Sequence, residues 1–187
     1  MKRKQLIQTA KDLFFKYGIK RVTVEEICKE ANVSKMTFYK HFRNKNELVR
    51  TWFTEMTDEA LEKYHILMER DIPFEEKVRE TIQMKLEGSD QMSQEFFSDY
   101  IPYAEPDLHD FIHQRMHEMM GLIIEDYAKA QKRGEIRQDM KIEFILWYLN
   151  KMLDLMEDKA LQQMYDSPQD LIMEMVNFFF YGIMPRK

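Results

Sequence analysis

Apolar residues recur along this chain at three- and four-residue intervals, and strand-like alternation is nearly absent. The breaks fall at Gly18, Pro73, Gly88, Pro102, Pro106, Gly134 and Pro168. An all-α fold of about nine helices is the expectation. The first predicted helix covers about residues 3–17, with Leu6, Ile7, Ala10, Leu13, Phe14 and Tyr17 on one face and Gly18 as its stop. Lys2, Arg3, Lys4 and Lys11 lie off that face. A second helix begins after Thr23, where a threonine cap and Glu26 three residues on form a capping box. Val24, Ile27 and Ala31 face inward, Asn32 ends the helix in the left-handed region that asparagine tolerates, and Val33 plugs the core.

Ser34 caps a third helix, SKMTFYKHF, whose inward anchors are Phe38 and Phe42 at i, i+4. Its other sides carry Lys35, Met36, Thr37, Tyr39, Lys40 and His41. Asn44 caps a fourth helix that opens with Lys45, carries Leu48, Val49, Trp52, Phe53 and Met56, and runs to about Glu69. Further helices are expected over about 74–87, 91–101, 107–132, 141–164 and 168–184. Two short helices joined by a tight turn suit a duplex major groove, which admits one helix held by a second across it. Cap amides and Lys45 are placed to clamp phosphates on either side.

The net charge of −5 changes that picture only until it is divided. Residues 1–50 hold thirteen Lys and Arg against five Asp and Glu, a net +8, which leaves −13 for the remainder. A basic head on an acidic body is the asymmetry expected where one end meets phosphate. No run reaches the roughly 18 apolar residues of a membrane span, and the start lacks the apolar core of a secretory signal, so a cytoplasmic location without membrane attachment is expected. The single Cys28 excludes an internal disulfide and a cysteine zinc site, and its place in an apolar pattern reads as a buried thiol. Nothing pairs a nucleophile with a base and no Gly-rich phosphate loop occurs, so no enzyme and no cofactor are expected.

The stretch T-V-x-x-I-x-x-x-A-x-V-S-x-x-T-F-Y-x-H-F-x-x-K-x-E-L resembles the DNA-binding head of the tetracycline-repressor (TetR) family of bacterial regulators, over about residues 4–50. Asn32 stands where the family usually has Gly, and Met36 where Gly, Pro or Arg is commoner. The resemblance implies that Thr23, Tyr39, His41 and Lys45 hold phosphates on double-stranded DNA. Lys35, Met36 and Thr37 would lie nearest base edges, with Tyr39 serving both; Ser34 and Lys40 complete the expected contact set. The segment GEIRQDM, residues 134–140, also resembles the family, whose body often has a Gly-x-Ile-Arg-x-Asp turn there. The expected organisation is a helix-turn-helix head of residues 1–48 and an antiparallel helical ligand-binding and dimerisation body of residues 49–187.

The last two predicted helices are apolar over more than one face, and patches that large are not left wet in soluble monomers. A four-helix bundle with a second copy would cover them, through Leu149, Met152, Met156, Phe178 and Phe179, and the resemblance implies the same homodimer. Sixteen methionines suit either a pocket for lipophilic or aromatic ligands or a Met-rich core. At about 100° per residue, His109, Met116, Met120 and Tyr127 fall within about 20° of one line, with His113 about 40° away. His109 and His113, at i, i+4, could chelate a metal, touch a small ligand or be satisfied structurally; no metal site is assigned. The candidate lining is Met84, Phe97, Tyr100, His113, Met116, Met120, Tyr127, Trp147 and Lys151, the lysine either neutralising an anion or lying solvated. The expected function is a regulator, a repressor by resemblance, that leaves a palindromic operator when a small lipophilic or aromatic effector binds. Alternatives are a helix-turn-helix protein acting through protein partners or as an activator, and a metal-responsive regulator using the two histidines.

Overall fold

The computed structural model describes residues 1–89, 92–93, 95–96, 106–155 and 158–185. Among them are nine helices and no strand: α1 (Lys2–Tyr17), α2 (Val24–Glu30), α3 (Lys35–Tyr39), α4 (Lys45–Glu69), α5 (Phe74–Ser89), α6 (Pro106–Lys132), α7 (Ile142–Leu155), α8 (Lys159–Gln162) and α9 (Pro168–Ile183). The all-α reading holds. Of the helix expected over 91–101, only residues 92–93 and 95–96 are described. No helix among the described residues is long and apolar enough to cross a membrane.

The chain divides into two compact units. One comprises Met1–Asp58 with Gln91–Gln114. Its core contains Leu6, Ile7, Ala10 and Phe14 of α1, Ile27 of α2, Phe38 of α3, then Phe42, and Leu48, Val49, Trp52 and Phe53 of α4. Two details differ from the wheel expected for α1. Phe15, outside the expected face, is buried; Tyr17, expected inside it, is half-buried beneath the Arg21 guanidinium, 4.6 Å from the ring centroid. The reason is that α1 packs on two sides. Phe15 meets Trp52 edge-on at 5.9 Å and Phe96 at 4.9 Å, and the Ser93 N–H donates to the Phe15 carbonyl at 2.8 Å. Edge-to-face pairs of this kind add about 0.5–1.5 kcal/mol beyond the area they bury.

The other unit comprises Glu59–Asp90 with Arg115–Lys187. Its core joins Phe74 and Val78 of α5, Tyr127 and Ala130 of α6, Ile145 of α7, and Val176, Phe179, Phe180 and Ile183 of α9. The GEIRQDM turn closes this core. Gly134 takes φ +80°, a conformation open to glycine at a helix end, and its neighbour Glu135 donates its N–H to the Ala130 carbonyl at 3.0 Å. Ile136 is fully buried. The Arg137 N–H donates to the Ile183 carbonyl at 2.9 Å, and its guanidinium reaches the Gly182 carbonyl at 3.2 Å while forking onto Asp139. The motif therefore caps α6 and ties down the end of α9 together.

The helix expected over 141–164 is broken. Asp158 accepts from the N–H groups of Ala160 and Leu161 at 2.8 and 3.1 Å and starts the short α8 afresh. An aspartate that serves two amides in this way competes with helix continuation. Ser167 caps α9 by accepting from the Asp170 N–H at 3.2 Å, with Pro168 at the first turn, where no N–H is needed.

Candidate nucleic-acid interface

Three caps fix the head. Thr23 accepts from the Glu26 N–H at 3.2 Å while Glu26 accepts from the Thr23 N–H at 2.8 Å, the complete reciprocal box. Ser34 accepts from the Thr37 N–H at 3.1 Å, and Asn44 from the Glu47 N–H at 2.9 Å. Each such cap contributes about 1 kcal/mol. Between α2 and α3 the chain turns at Asn32, which has φ +50°, the described non-glycine residue with positive φ. The Val33 N–H then reaches back to the Cys28 carbonyl at 2.9 Å. Two caps, one left-handed residue and the buried Phe38 and Phe42 thus aim a five-residue helix outward.

The outward side of α3 is a row of exposed polar, cationic and apolar side chains. Met36 is 72% exposed and Tyr39 56%, while Lys35, Lys40 and His41 are exposed and Thr37 is half-buried. The Tyr39 ring rests edge-on against Phe38, centroids 5.3 Å apart, which holds its hydroxyl away from the core. The Lys35 ammonium is paired with the Glu25 carboxylate, an exposed contact that lowers Glu25 below the usual carboxylate range and raises Lys35. Exposed pairs are cheap to exchange, so Lys35 is free to trade this partner for a phosphate or a guanine edge. Ser34 and Thr23 carry exposed side chains at helix N-termini, the position that suits an anion.

Lys45 does something its sequence position did not indicate. Its ammonium donates to the carbonyls of Ile19, Lys20 and Val22 at 2.9, 3.2 and 3.0 Å, and the side chain is half-buried. It therefore ties the start of α4 to the loop between α1 and α2. Lys45→Ala should lower the stability of the head by about 2 kcal/mol, since hydrogen bonds to a charged donor contribute about 1.5–3 kcal/mol each but are not additive. Thermal melting reads this directly, and an unchanged melting temperature would remove the tether.

The residues expected to line a pocket are placed differently from one another. Met84, Met116, Met120 and His113 are half-buried. The His113 ring lies against that of His109, tilted by 37° with centroids 4.2 Å apart, and no group of three or more His, Cys, Asp or Glu suited to a metal occurs among the described residues. Tyr127 is buried in the core of its unit, 6.1 Å from the Phe179 ring, and burial raises its phenol. Trp147 and Lys151 lie exposed on α7; Trp147 stacks on Phe144 at 6.0 Å and Lys151 pairs with Asp154 at 2.6 Å. Phe97 and Tyr100 fall outside the described residues.

The expected dimer residues also separate. Phe179 is 5% exposed and belongs to its own unit's core; Leu149 and Met152 pack partly against that core. Met156 falls outside the described residues. Phe178 is 71% exposed and Tyr181 80%. Phe144 and Tyr181, which sequence reasoning did not select, join Trp147, Leu155 and Phe178 as exposed large side chains on α7 and α9. Helical arithmetic contained the signal: Phe144, Trp147, Lys151 and Leu155 share one side of α7, as Glu174, Phe178 and Tyr181 share one side of α9.

Residues 6–51 match the family model described as bacterial regulatory proteins, tetR family. The HTH-type transcriptional regulator YhgD of Bacillus subtilis (strain 168) is 27% identical over 138 residues, covering 73% of this chain and 72% of that one. In fold, the chain is similar to the fatty acid degradation regulator FadR from Bacillus halodurans, with TM-score 0.75, 17% identity, and 99% and 97% of the two chains covered. It is also similar to FadR from Bacillus subtilis in complex with stearoyl-CoA, with TM-score 0.72, 16% identity, and 96% and 98% covered. Residues 6–51 thus carry the head described for the tetR family of bacterial regulatory proteins.

Proposed function

We propose that this chain is a ligand-responsive repressor that binds a palindromic operator as a homodimer and leaves it when a lipophilic small molecule binds. Residues 1–48 serve DNA and residues 49–187 serve ligand and partner copy. The observation that carries the reading is the outward row on α3, aimed by the caps at Thr23 and Ser34 and by the turn at Asn32. Lys35, Met36 and Thr37 read base edges; Tyr39, Lys40, His41 and the caps meet phosphates. Met36 offers an apolar contact for a thymine methyl.

The exposed aromatic stripes of α7 and α9 supply the dimer seam, so that two copies of α3 enter successive major grooves. A fold neighbour solved in complex with stearoyl-CoA supports an effector with a long apolar part. A differential affinity of a few kcal/mol between two states of the dimer suffices to empty the operator.

Selection of bound sequences from random duplex DNA tests this. The expected product is a two-fold-symmetric site whose half-sites lie about one helical turn apart, with affinity falling linearly in the logarithm of salt concentration. Failure to enrich any sequence would refute the operator reading.

A further inference from the structure

Residues 1–50 hold five acids, and three of them serve their own helix or its cap. Glu26 and Glu47 accept from the N–H groups of Thr23 and Arg43 at 2.8 and 2.7 Å, and Asp12 accepts from the Gln8 amide at 2.9 Å. Glu30 ends α2. Glu25 does something else. Its carboxylate crosses from α2 to α3 and takes the ammonium of Lys35, the first residue of α3. The side chains are 56% exposed for Lys35 and 60% for Glu25, so the joined pair stands on the open face of the head, beside Met36.

Against DNA, phosphate and Glu25 compete for the same ammonium. A Lys35 that turns to a phosphate leaves Glu25 bare among phosphates, and like charges at that range repel. A Lys35 that keeps Glu25 offers the phosphates no net charge. Either way the pair withholds one cation from the sequence-independent attraction that phosphates supply. A base edge poses no such choice. The ammonium has three N–H donors, so Lys35 can hold Glu25 and still donate to guanine O6 and N7. The second oxygen of Glu25 accepts from the N4 amine of a cytosine. In the major groove one G·C pair presents N7, O6 and the N4 amine in a row, two acceptors and then a donor. A joined ammonium and carboxylate offer the complementary order.

We propose that Glu25 is a specificity-determining residue, which with Lys35 reads one G·C pair in each half-site and disfavours binding to phosphates alone. This rests on the operator reading above, and it adds a residue of α2 to the contacts expected from α3.

Selection from random duplex DNA, run in parallel on the full chain and on Glu25→Gln and Lys35→Gln, tests it. The unmodified protein should fix a G·C pair at one position of each half-site, and both variants should relax that same position. In titrations, Glu25→Gln should tighten a random duplex by about threefold to tenfold and steepen its salt dependence by about one ion per copy. The operator should gain nothing, so its advantage over random DNA falls by about tenfold or more. Melting of Glu25→Gln should stay close to that of the unmodified chain, since the lost pair is exposed. A purely structural carboxylate would instead lower melting and weaken both duplexes alike. An unchanged operator-to-random ratio in Glu25→Gln, or relaxation at no position shared with Lys35→Gln, would overturn the role of Glu25 while the operator stands. Failure of the unmodified chain to enrich any sequence would overturn the operator reading and this inference with it.

Discussion

Phe178→Asp should leave the protein monomeric at concentrations where the proposed homodimer of the unmodified chain should sediment as a pair. Phe178 and Tyr181 stand outward on α9, and Phe144 and Trp147 stack outward on α7. Burying one such aromatic contributes about 1.5–3 kcal/mol, and two-fold symmetry counts every residue twice. The substitution removes that contribution and adds the cost of desolvating two carboxylates without partners. A rise in dimer dissociation constant of about a hundredfold or more follows, with operator binding lost alongside it. Tyr181→Asp should act in the same direction. Phe179→Asp is the contrasting control: Phe179 packs between Tyr127, Tyr148 and Phe180 inside its own unit, so a charge there should cost folding. A Phe178→Asp protein that still sediments as a stable dimer would refute the seam.

Tyr39→Ala should weaken operator binding by about tenfold to a hundredfold while leaving sedimentation and melting close to unchanged. Its hydroxyl end is exposed, and only one edge of its ring touches Phe38, so truncation leaves no core cavity. The loss corresponds to about 1–3 kcal/mol, the usual worth of a specific contact in such interfaces. A titration against operator and against random DNA separates the two roles of the side chain. A uniform loss marks phosphate contact; a loss confined to operator marks base reading. Unchanged affinity for both would remove Tyr39 from the interface.

The head was legible because its signals are local. A threonine three residues before Glu26, a serine before Lys35 and an asparagine before Lys45 each specify a helix start, and the hydrogen bonds at all three match. Asn32 was legible for the same reason, as a residue that tolerates positive φ at the place where a helix must end. What failed to show was set by contacts remote in sequence. Phe15 is buried because Trp52 and Phe96 reach it, and Lys45 is tethered because three carbonyls about 25 residues earlier converge on it. The body misled for a different reason. Helices α7 and α9 are apolar nearly all round, so periodicity could not say which aromatic turns inward; Phe178 and Phe179 are adjacent and face opposite environments. Likewise Tyr127 shares a line with Met116 and Met120, yet it lies in the core, because α6 is long enough for its two ends to meet different neighbours.

Cys28 is the single cysteine in the chain and is buried in the head, where burial raises its thiol above the ordinary value. Thiol reagents attack the thiolate, so the folded protein presents a chemically silent background to maleimides and methanethiosulfonates. One cysteine introduced on an exposed position of the head, such as Lys40, would then be the sole site to take a spin label. In a two-fold dimer it would appear once on each copy. Pulsed dipolar spectroscopy on that single label would report the spacing of the two recognition helices as a distance distribution, with and without effector.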